Sequence, residues 1–153
     1  MEHDNSPDSF SLRPATLADA STIHSIISQV RINPLALDWH RFILAIDAYG
    51  KVIGCGQVKP HSDGSLELAS IAVLPEWRNK GVTRWLIEYL LEQHPGEMYL
   101  TCQSILGPMY QKFGFKSIET DEMTPYFRRL SRFVNWVVKL THQPHSMLVM
   151  RRD

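Results

Sequence analysis

The sequence predicts an α/β fold, in which a mixed, mostly antiparallel central sheet of six to seven strands is flanked by helices. One observation is the element order, which is β, α, β, β, β, α, β, α, β and a final β, with turn signals between the elements. The other is that two segments carry apolar residues at the helical spacing i, i+3, i+4 and i+7. These two segments lie before and after three consecutive strands, an order that forms one sheet with helices on its faces.

The N-terminal part predicts a short strand followed by a helix. Residues 12–15 are strand-like, and Thr16 and Asp19 stand at the spacing of a capping box, which marks a helix start. Apolar residues then continue along one helical face: Ile23, Ile26, Ile27 and Val30. Residues 1–10 are polar and acidic, so we expect a disordered tail before a single domain over residues 11–153.

Three adjacent strands follow, and two turns separate them. The strands at 42–47 and 51–59 flank a turn at Ala48–Gly50, and a second turn at His61–Gly64 leads into a strand at 65–74. This last strand is apolar almost throughout, which indicates a central position in the sheet. The remaining predicted elements are a helix from Gly81, a strand at 98–103, a short helix at 106–113, and strands at 115–119 and 146–151.

Size and composition narrow the class of protein. The chain has 153 residues, of which 44% are hydrophobic, and this suits one domain with a substantial core. Sixteen basic side chains balance sixteen acidic ones, so no overall positive field favours nucleic acid as a partner. No apolar run approaches the roughly 20 residues that span a bilayer, and the N-terminus lacks the pattern of a signal peptide.

The cysteines and histidines indicate neither a disulfide framework nor a metal site. Cys55 and Cys102 are far apart in strand-like segments, so we expect two free thiols in a reducing cytoplasm. The seven histidines are scattered without the spacing of metal ligands. We therefore expect a cytoplasmic protein that needs no metal.

The segment between the strand ending at Leu74 and the helix beginning at Gly81 predicts an anion site. The first-turn amides of a helix have no partner within it, and the helix dipole favours negative charge there. Gly81 has no Cβ, so a phosphate can approach the backbone. Arg78, Lys80 and Arg84 add positive charge at the same point.

The run Ile71–Arg84 resembles the acetyl-CoA signature of the GNAT superfamily of N-acetyltransferases. In that family a strand leads into Gln/Arg-x-x-Gly-x-Gly/Ala, and Arg78, Gly81 and Thr83 fill the three positions. Thr83 departs from the usual Gly or Ala. The resemblance implies that acetyl-CoA is the co-substrate, and that the central sheet splays at its fourth and fifth strands to admit the thioester. The implied cofactor-binding residues are Ile71, Ala72, Val73, Arg78, Asn79, Lys80, Gly81, Val82, Thr83, Arg84 and Gln103.

A second element, Gln103–Phe115, resembles the family's Asn…Tyr-x-x-x-Gly-Phe sequence. Tyr110 holds the tyrosine position, and Gln103 replaces the usual Asn. Together the matched elements cover about residues 10 to 120, in the family's order and secondary structure. The resemblance implies an acetyltransferase that moves the acetyl group to a primary amine by direct attack in a ternary complex.

Two residues are candidates for acid–base chemistry. Tyr110 is our candidate general acid, because an ordinary phenol stays protonated at neutral pH. Glu67 is our candidate base, because it stands on an apolar strand on the same face as Ile71. The alternatives are an ordered water molecule, as in many members of the family, and Glu97.

Residues 124–141 predict an additional helix, amphipathic and rich in arginine. Three placements are open: packing over the substrate end of the sheet, a homodimer contact, or an interfacial position on a membrane. A membrane is the least favoured.

The leading functional hypothesis is an N-acetyltransferase whose acceptor is a small-molecule or peptide amine. Two alternatives remain. One is a regulatory module that binds acyl-CoA with little catalysis, and the other is a peripheral membrane protein that uses the additional helix. The sequence does not distinguish among amine acceptors.

Overall fold

A computed structural model describes residues 9–142 and 146–153 of the chain. Seven strands form one mixed sheet in the order β1-β2-β3-β4-β5-β7-β6. The strands are β1 (Phe10–Pro14), β2 (Phe42–Asp47), β3 (Val52–Pro60), β4 (Leu66–Val73), β5 (Met98–Gln103), β6 (Lys116–Ser117) and β7 (Met147–Arg152). The α/β class and the mixed, mostly antiparallel sheet are therefore confirmed.

Within the described residues, four α-helices connect these strands. They are α1 (Ala20–Gln29), α2 (Val82–Gln93), α3 (Gly107–Gln111) and α4 (Pro125–Thr141). The chain forms two compact units. The first comprises the described residues up to Val58 together with Leu68–His94, and the second comprises Lys59–Glu67 and the described residues from Pro95 onward.

In the first unit, antiparallel pairing builds the edge of the sheet. Strand β1 pairs with β2 over five residues, and β2 pairs with β3 with a register shift between Ala45 and Ile46. Side chains of α1 and α2 pack in one core with those of β2 and β3; its fully buried members include Ile23, Ile27, Leu44, Ile53 and Leu86. The predicted spacing matches the buried residues Ile23, Ile26 and Ile27 of α1. In α2 it matches in part, because Ile87 and Leu91 are buried while Trp85 and Tyr89 are half-buried.

The boundary of the N-terminal tail differs from the prediction. Phe10, which we expected in the tail, begins β1 and is 7% exposed. Its ring makes edge contacts with Trp77 and Trp85, at centroid distances of 6.5 and 6.3 Å. The free energy gained by burying this aromatic ring against two indoles places Phe10 in the strand, although its neighbours in sequence are polar. Residues 1–8 lie outside the described residues.

The predicted capping box at the start of the first helix is present. Asp19 accepts the backbone N–H of Thr16 at 2.7 Å, and its two oxygens also accept from Arg13 at 2.8 and 3.0 Å. A short 3-10 turn, Leu17–Asp19, leads directly into α1. These contacts hold the pKa of the Asp19 carboxyl well below its usual range, chiefly through the bond from Arg13.

In the second unit, β5 and β7 pair antiparallel over six residues, and β6 adds two pairs on the other side of β7. Strand β4 runs parallel to β5 and meets it in one registered pair, Glu67 opposite Tyr99. The contact between the fourth and fifth strands is thus brief, as expected for a splayed sheet. Strand β6 is shorter than the predicted segment 115–119.

The additional helix, α4, packs against the second unit mainly through its N-terminal half. Phe127 is fully buried, in a cluster with Tyr99, Met123 and Val149. The C-terminal half leaves three large apolar side chains about three-fifths exposed: Phe133, Trp136 and Leu140. The apolar side of this amphipathic helix is therefore buried near its N-terminus and exposed towards its C-terminus.

The Asp19 contacts predict a stability loss that depends on pH. Asp19→Asn should lower the free energy of unfolding by about 1–3 kcal/mol at pH 7, because charge-assisted bonds to Arg13 are lost. The folded pKa lies below the unfolded value of about 3.9, so the contribution is complete above that pH and declines as the pH falls through and below it.

Urea unfolding of wild type and variant at pH 7, 5 and 3 measures this difference. Asp121→Asn, at an exposed position, is the matched control and should change stability little at each pH. A wild-type advantage that grows at pH 3 would contradict the assignment.

Candidate functional site

The loop between β4 and α2 presents an exposed helix start with unusual backbone angles. Gly81 is the N-cap residue of α2 and has φ +85°, and Asn79 has φ +61°. A Cβ built on Gly81 would meet its nearest atom, in Trp85, at 3.8 Å, so backbone conformation rather than crowding selects glycine here. The result is an open approach to the backbone at the head of the helix.

Charge at this helix start is positive. Residues 78–81 and Arg84 are exposed, and the first turn of α2 contains no acidic residue. Lys80 Nζ lies 5.2 Å from the centre of the Trp77 ring, and Arg84 Nε donates to Glu88 Oε1 at 2.7 Å. The first-turn amides and these cations can hold a phosphate or another anion. The predicted residues Arg78 to Arg84 thus lie together in the loop before α2 and in its first turn. Thr83 is the second residue of α2 and is half-buried.

Strand β4 approaches this loop through closely packed backbone. A Cβ on Gly54 of β3 would lie 3.0 Å from the carbonyl oxygen of Ala72, and one on Gly56 would lie 2.6 Å from Ile71 Cδ1. Because these two positions lack side chains, β3 can pack closely against the β4 residues that precede the loop. Ala72 and Val73 are buried, and Ile71 is half-buried. Neither glycine was predicted to have a role.

Ser70 interrupts the regular geometry of β4, with φ +57° in the left-handed region. The buried Gln57 side chain donates to Ser70 Oγ at 2.8 Å, and Cys55 Sγ lies 3.8 Å from the Ser70 carbonyl oxygen. These contacts stabilise a conformation that a non-glycine residue rarely adopts. The sequence gives no local signal for this irregularity.

In the second unit, Tyr110 lies on α3 with its ring 6.2 Å from that of Phe115 in an edge contact. Burial, with a smaller contribution from Cys102, raises the pKa of Tyr110 to about 12. The phenol therefore keeps its proton across the range in which proteins are stable. Gln103 ends β5, where its side chain is exposed.

Glu67 is buried and paired with a histidine that the sequence analysis did not select. Its Oε2 lies 2.7 Å from His61 Nε2, and its Oε1 accepts from Thr101 Oγ1 at 3.4 Å. The side chains of His61 and Glu67 are 11% and 9% exposed. His61 stands in a turn signal six residues before Glu67, and pairing across that hairpin could have been considered. Glu97, the weaker alternative, is half exposed and accepts from the hydroxyl of Tyr99 at 2.9 Å.

Helix α4 covers the His61–Glu67 pair. The ring of Tyr126 stacks on that of His61 with centroids 3.6 Å apart and an interplanar angle of 16°. The backbone N–H of Tyr126 donates to Asp63 Oδ2 at 2.9 Å, which joins the helix start to the β3–β4 turn. Of the three predicted placements of this helix, packing at the sheet is the one that these contacts show.

Comparison with known families agrees with this geometry. The model of the acetyltransferase (GNAT) domain matches residues 38–117, just over half of the chain. An uncharacterized N-acetyltransferase of Chlorobaculum tepidum, CT2212, is 31% identical over 122 residues, which cover 72% of this chain and 77% of that protein.

The chain belongs to the GNAT acetyltransferase family. The resemblance noted in the sequence is thereby confirmed.

Solved structures show the same fold as this GNAT chain. N-acetylglutamate synthase from Neisseria gonorrhoeae, complexed with coenzyme A and N-acetyl-glutamate, superposes with a TM-score of 0.73 at 17% identity. That match covers 94% of this chain and 34% of the synthase, so this chain spans about a third of the synthase's length. Rv2747 from Mycobacterium tuberculosis, in complex with CoA and NLQ, has a TM-score of 0.69 at 20% identity, covering 91% of this chain and 97% of that one.

Two further observations concern residues 9–142 and 146–153 of this GNAT protein. These residues contain no group of three or more His, Cys, Asp or Glu side chains placed to hold a metal ion. Within the same ranges, no helix has both the length and the apolar character required to cross a membrane.

Proposed function

We propose that this chain transfers the acetyl group of acetyl-CoA to a primary amine, by direct attack in a ternary complex. The observation that carries the proposal is the open, basic N-terminus of α2 at Gly81, within the segment that matches the GNAT domain. Such a helix start suits a pyrophosphate, because unpaired amides and positive side chains meet there.

The residues of the loop fit the phosphate end of acetyl-CoA. Gly81 leaves the backbone accessible, and Arg78, Lys80 and Arg84 supply charge around it. Gln103, at the exposed end of β5, would add an amide contact. The CoA bound in the Neisseria and Mycobacterium structures supports the same co-substrate for this chain. Ile71, Ala72 and Val73 would line its pantetheine arm, with backbone groups pairing as an added strand does.

The chemistry requires a neutral amine nitrogen, whose lone pair forms the new C–N bond as the C–S bond breaks. A proton must leave the amine, and the departing sulfur must gain one. Tyr110 is the proposed donor to that sulfur, because its raised pKa keeps the phenol protonated. Glu67, with His61 to which it is hydrogen-bonded, is proposed to take part in removing the proton from the amine.

The acceptor is a primary amine of a small molecule or peptide. The N-acetyl-glutamate bound to the Neisseria synthase supports this class, although that protein is about three times as long. We also propose a cytoplasmic location. The two cysteines are free, and burial raises the pKa of the Cys55 thiol to about 12, so it is a poor nucleophile for disulfide exchange.

Thiol release from acetyl-CoA with a panel of amines tests the activity. The panel contains glutamate, lysine, spermidine and a tripeptide with a free N-terminus. Release of thiol that depends on one of these amines is the expected result. Binding of acetyl-CoA without release for any amine would instead indicate an acyl-CoA-binding module.

The phosphate assignment predicts the effect of a methyl group at the helix start. Gly81→Ala should weaken acetyl-CoA binding roughly tenfold or more, about 1.4 kcal/mol, because the Cβ obstructs the approach to the backbone. Calorimetric titration with acetyl-CoA measures the Kd.

Gly50→Ala is the matched control, since Gly50 has φ +83° and open space around its Cα. Both variants carry a similar backbone strain of about 1–2 kcal/mol, so both should lose stability. Only Gly81→Ala should lose affinity. Equal affinities in the two variants would argue against a phosphate at Gly81.

The donor assignment predicts that Tyr110→Phe lowers kcat by about 10²- to 10⁴-fold, because the ring is kept and the proton is lost. The Kd of acetyl-CoA should change little. Steady-state kinetics with the best amine of the panel measures kcat for the variant and for wild type. The control is Tyr49→Phe, at an exposed turn, which should keep the wild-type kcat. A kcat within twofold of wild type would exclude Tyr110 as the donor.

A further inference from the structure

We infer that His61 is the group that accepts the proton of the acceptor amine, and that Glu67 acts as a positioning residue which holds the His61 ring. This inference rests on the proposed acetyltransferase function and identifies the base within it. It gives Glu67 a different part from the one that the sequence suggested.

The first argument is that both oxygens of Glu67 are already engaged. Oε2 is 2.7 Å from His61 Nε2, and Oε1 accepts from Thr101 at 3.4 Å. The side chain is 9% exposed, on a strand that pairs with β5 at this residue. A buried carboxylate with both oxygens in hydrogen bonds is suited to orienting a neighbour rather than to receiving a substrate proton.

The second argument concerns the two nitrogens of His61. In the neutral ring, Nε2–H donates to the carboxylate, and this fixes the tautomer with the lone pair on Nδ1. Within the described residues, Nδ1 has no hydrogen-bond partner. A carboxylate that holds one nitrogen also stabilises the imidazolium formed when the other nitrogen takes a proton.

The His61 ring is also held by its backbone and by two aromatic neighbours. The backbone N–H of His61 donates to Ser65 O at 2.9 Å in the β3–β4 turn. Tyr126 stacks on one face, and the Phe127 ring makes an edge contact with a centroid distance of 5.6 Å. A base held by packing and by a hydrogen bond needs little reorganisation during reaction.

The charged and titratable groups around His61 come from each neighbouring element. Glu67 comes from β4, Asp63 from the turn and Tyr126 from α4. Bonds from Ser65 and the backbone of Tyr126 hold the pKa of Asp63 well below its usual range, so it stays ionised. Burial and these two carboxylates raise the pKa of Tyr126, which therefore stays neutral. The carboxylates of Glu67 and Asp63 are thus the charged groups that these elements contribute beside the ring.

The step balances as follows. One proton passes from the substrate ammonium to His61 Nδ1, which leaves a neutral amine and an imidazolium paired with Glu67. The amine lone pair forms the C–N bond, the C–S bond breaks, and the electron pair leaves with sulfur, which takes the phenol proton of Tyr110. The second amine proton passes through solvent to restore the phenol, and His61 releases its proton to water before the next turnover.

The test compares His61→Asn, Glu67→Gln and the control His24→Asn, which lies at an exposed position of α1. We expect kcat/KM at pH 7 for the best panel amine to fall at least about 100-fold in His61→Asn. The Kd of acetyl-CoA should stay within about twofold. Raising the pH to 9.5 should recover most of the lost rate, because the amine then deprotonates without a base.

Glu67→Gln keeps an oxygen that accepts from His61 but removes the charge. It should lose less activity than His61→Asn, and the acid limb of its kcat/KM profile should move to lower pH, because the imidazolium loses its counter-charge. His24→Asn should match wild type throughout.

Three results overturn the inference while leaving the acetyltransferase intact. These are wild-type kcat/KM in His61→Asn, a loss in that variant that does not recover at high pH, and a larger loss in Glu67→Gln. Thermal unfolding of each variant with and without acetyl-CoA shows whether it is folded, and exogenous imidazole restoring His61→Asn would confirm the role independently. A wild type that binds acetyl-CoA but acetylates no amine overturns the proposed function and this inference together.

Discussion

The left-handed backbone at Ser70 is the constraint on which the arrangement of β4 depends. A non-glycine residue in this region costs about 1–2 kcal/mol, and it persists here because Gln57, fully buried, donates to the Ser70 hydroxyl. Side chains alternate along a regular strand, and one residue with positive φ interrupts that alternation. Glu67 precedes the interruption and Ile71 follows it, so even spacing is not enough to place both on one face. The sequence argument that put them there rested on an unbroken strand.

Other features were predictable because local sequence determines them. Thr16 and Asp19 form the capping box that their spacing indicated, and Gly81 begins α2 with the positive φ that glycine permits. Helical periodicity identified the buried face of α1 and part of that of α2, since burial of that periodic stripe is what stabilises a helix in a protein. Tyr110 and the loop at 78–84 came from a family pattern, which carries more information than any single residue in it.

The features that were missed depend on tertiary contacts. His61 stands in a turn with ordinary turn composition, and its importance appears only when the hairpin places it beside Glu67 and α4 covers it. Phe10 was assigned to a tail because its neighbours are polar, whereas it is buried in contact with Trp77 and Trp85, which are distant in sequence. Apolar spacing marked α4 as amphipathic, but it did not indicate that the covered part would end midway along the helix. In each case the partner is distant in sequence.

The anchor between α4 and the β3–β4 turn uses the main chain of the helix. Asp63 accepts the N–H of Tyr126, and every residue except proline offers that same donor. The helix start would thus stay attached whatever side chain occupied position 126, while that side chain alone determines what lies against His61. During divergence, this position can change the shape and polarity beside His61 without loosening the scaffold. A single substitution at position 126 therefore alters what lies against His61 while the bond to Asp63 remains.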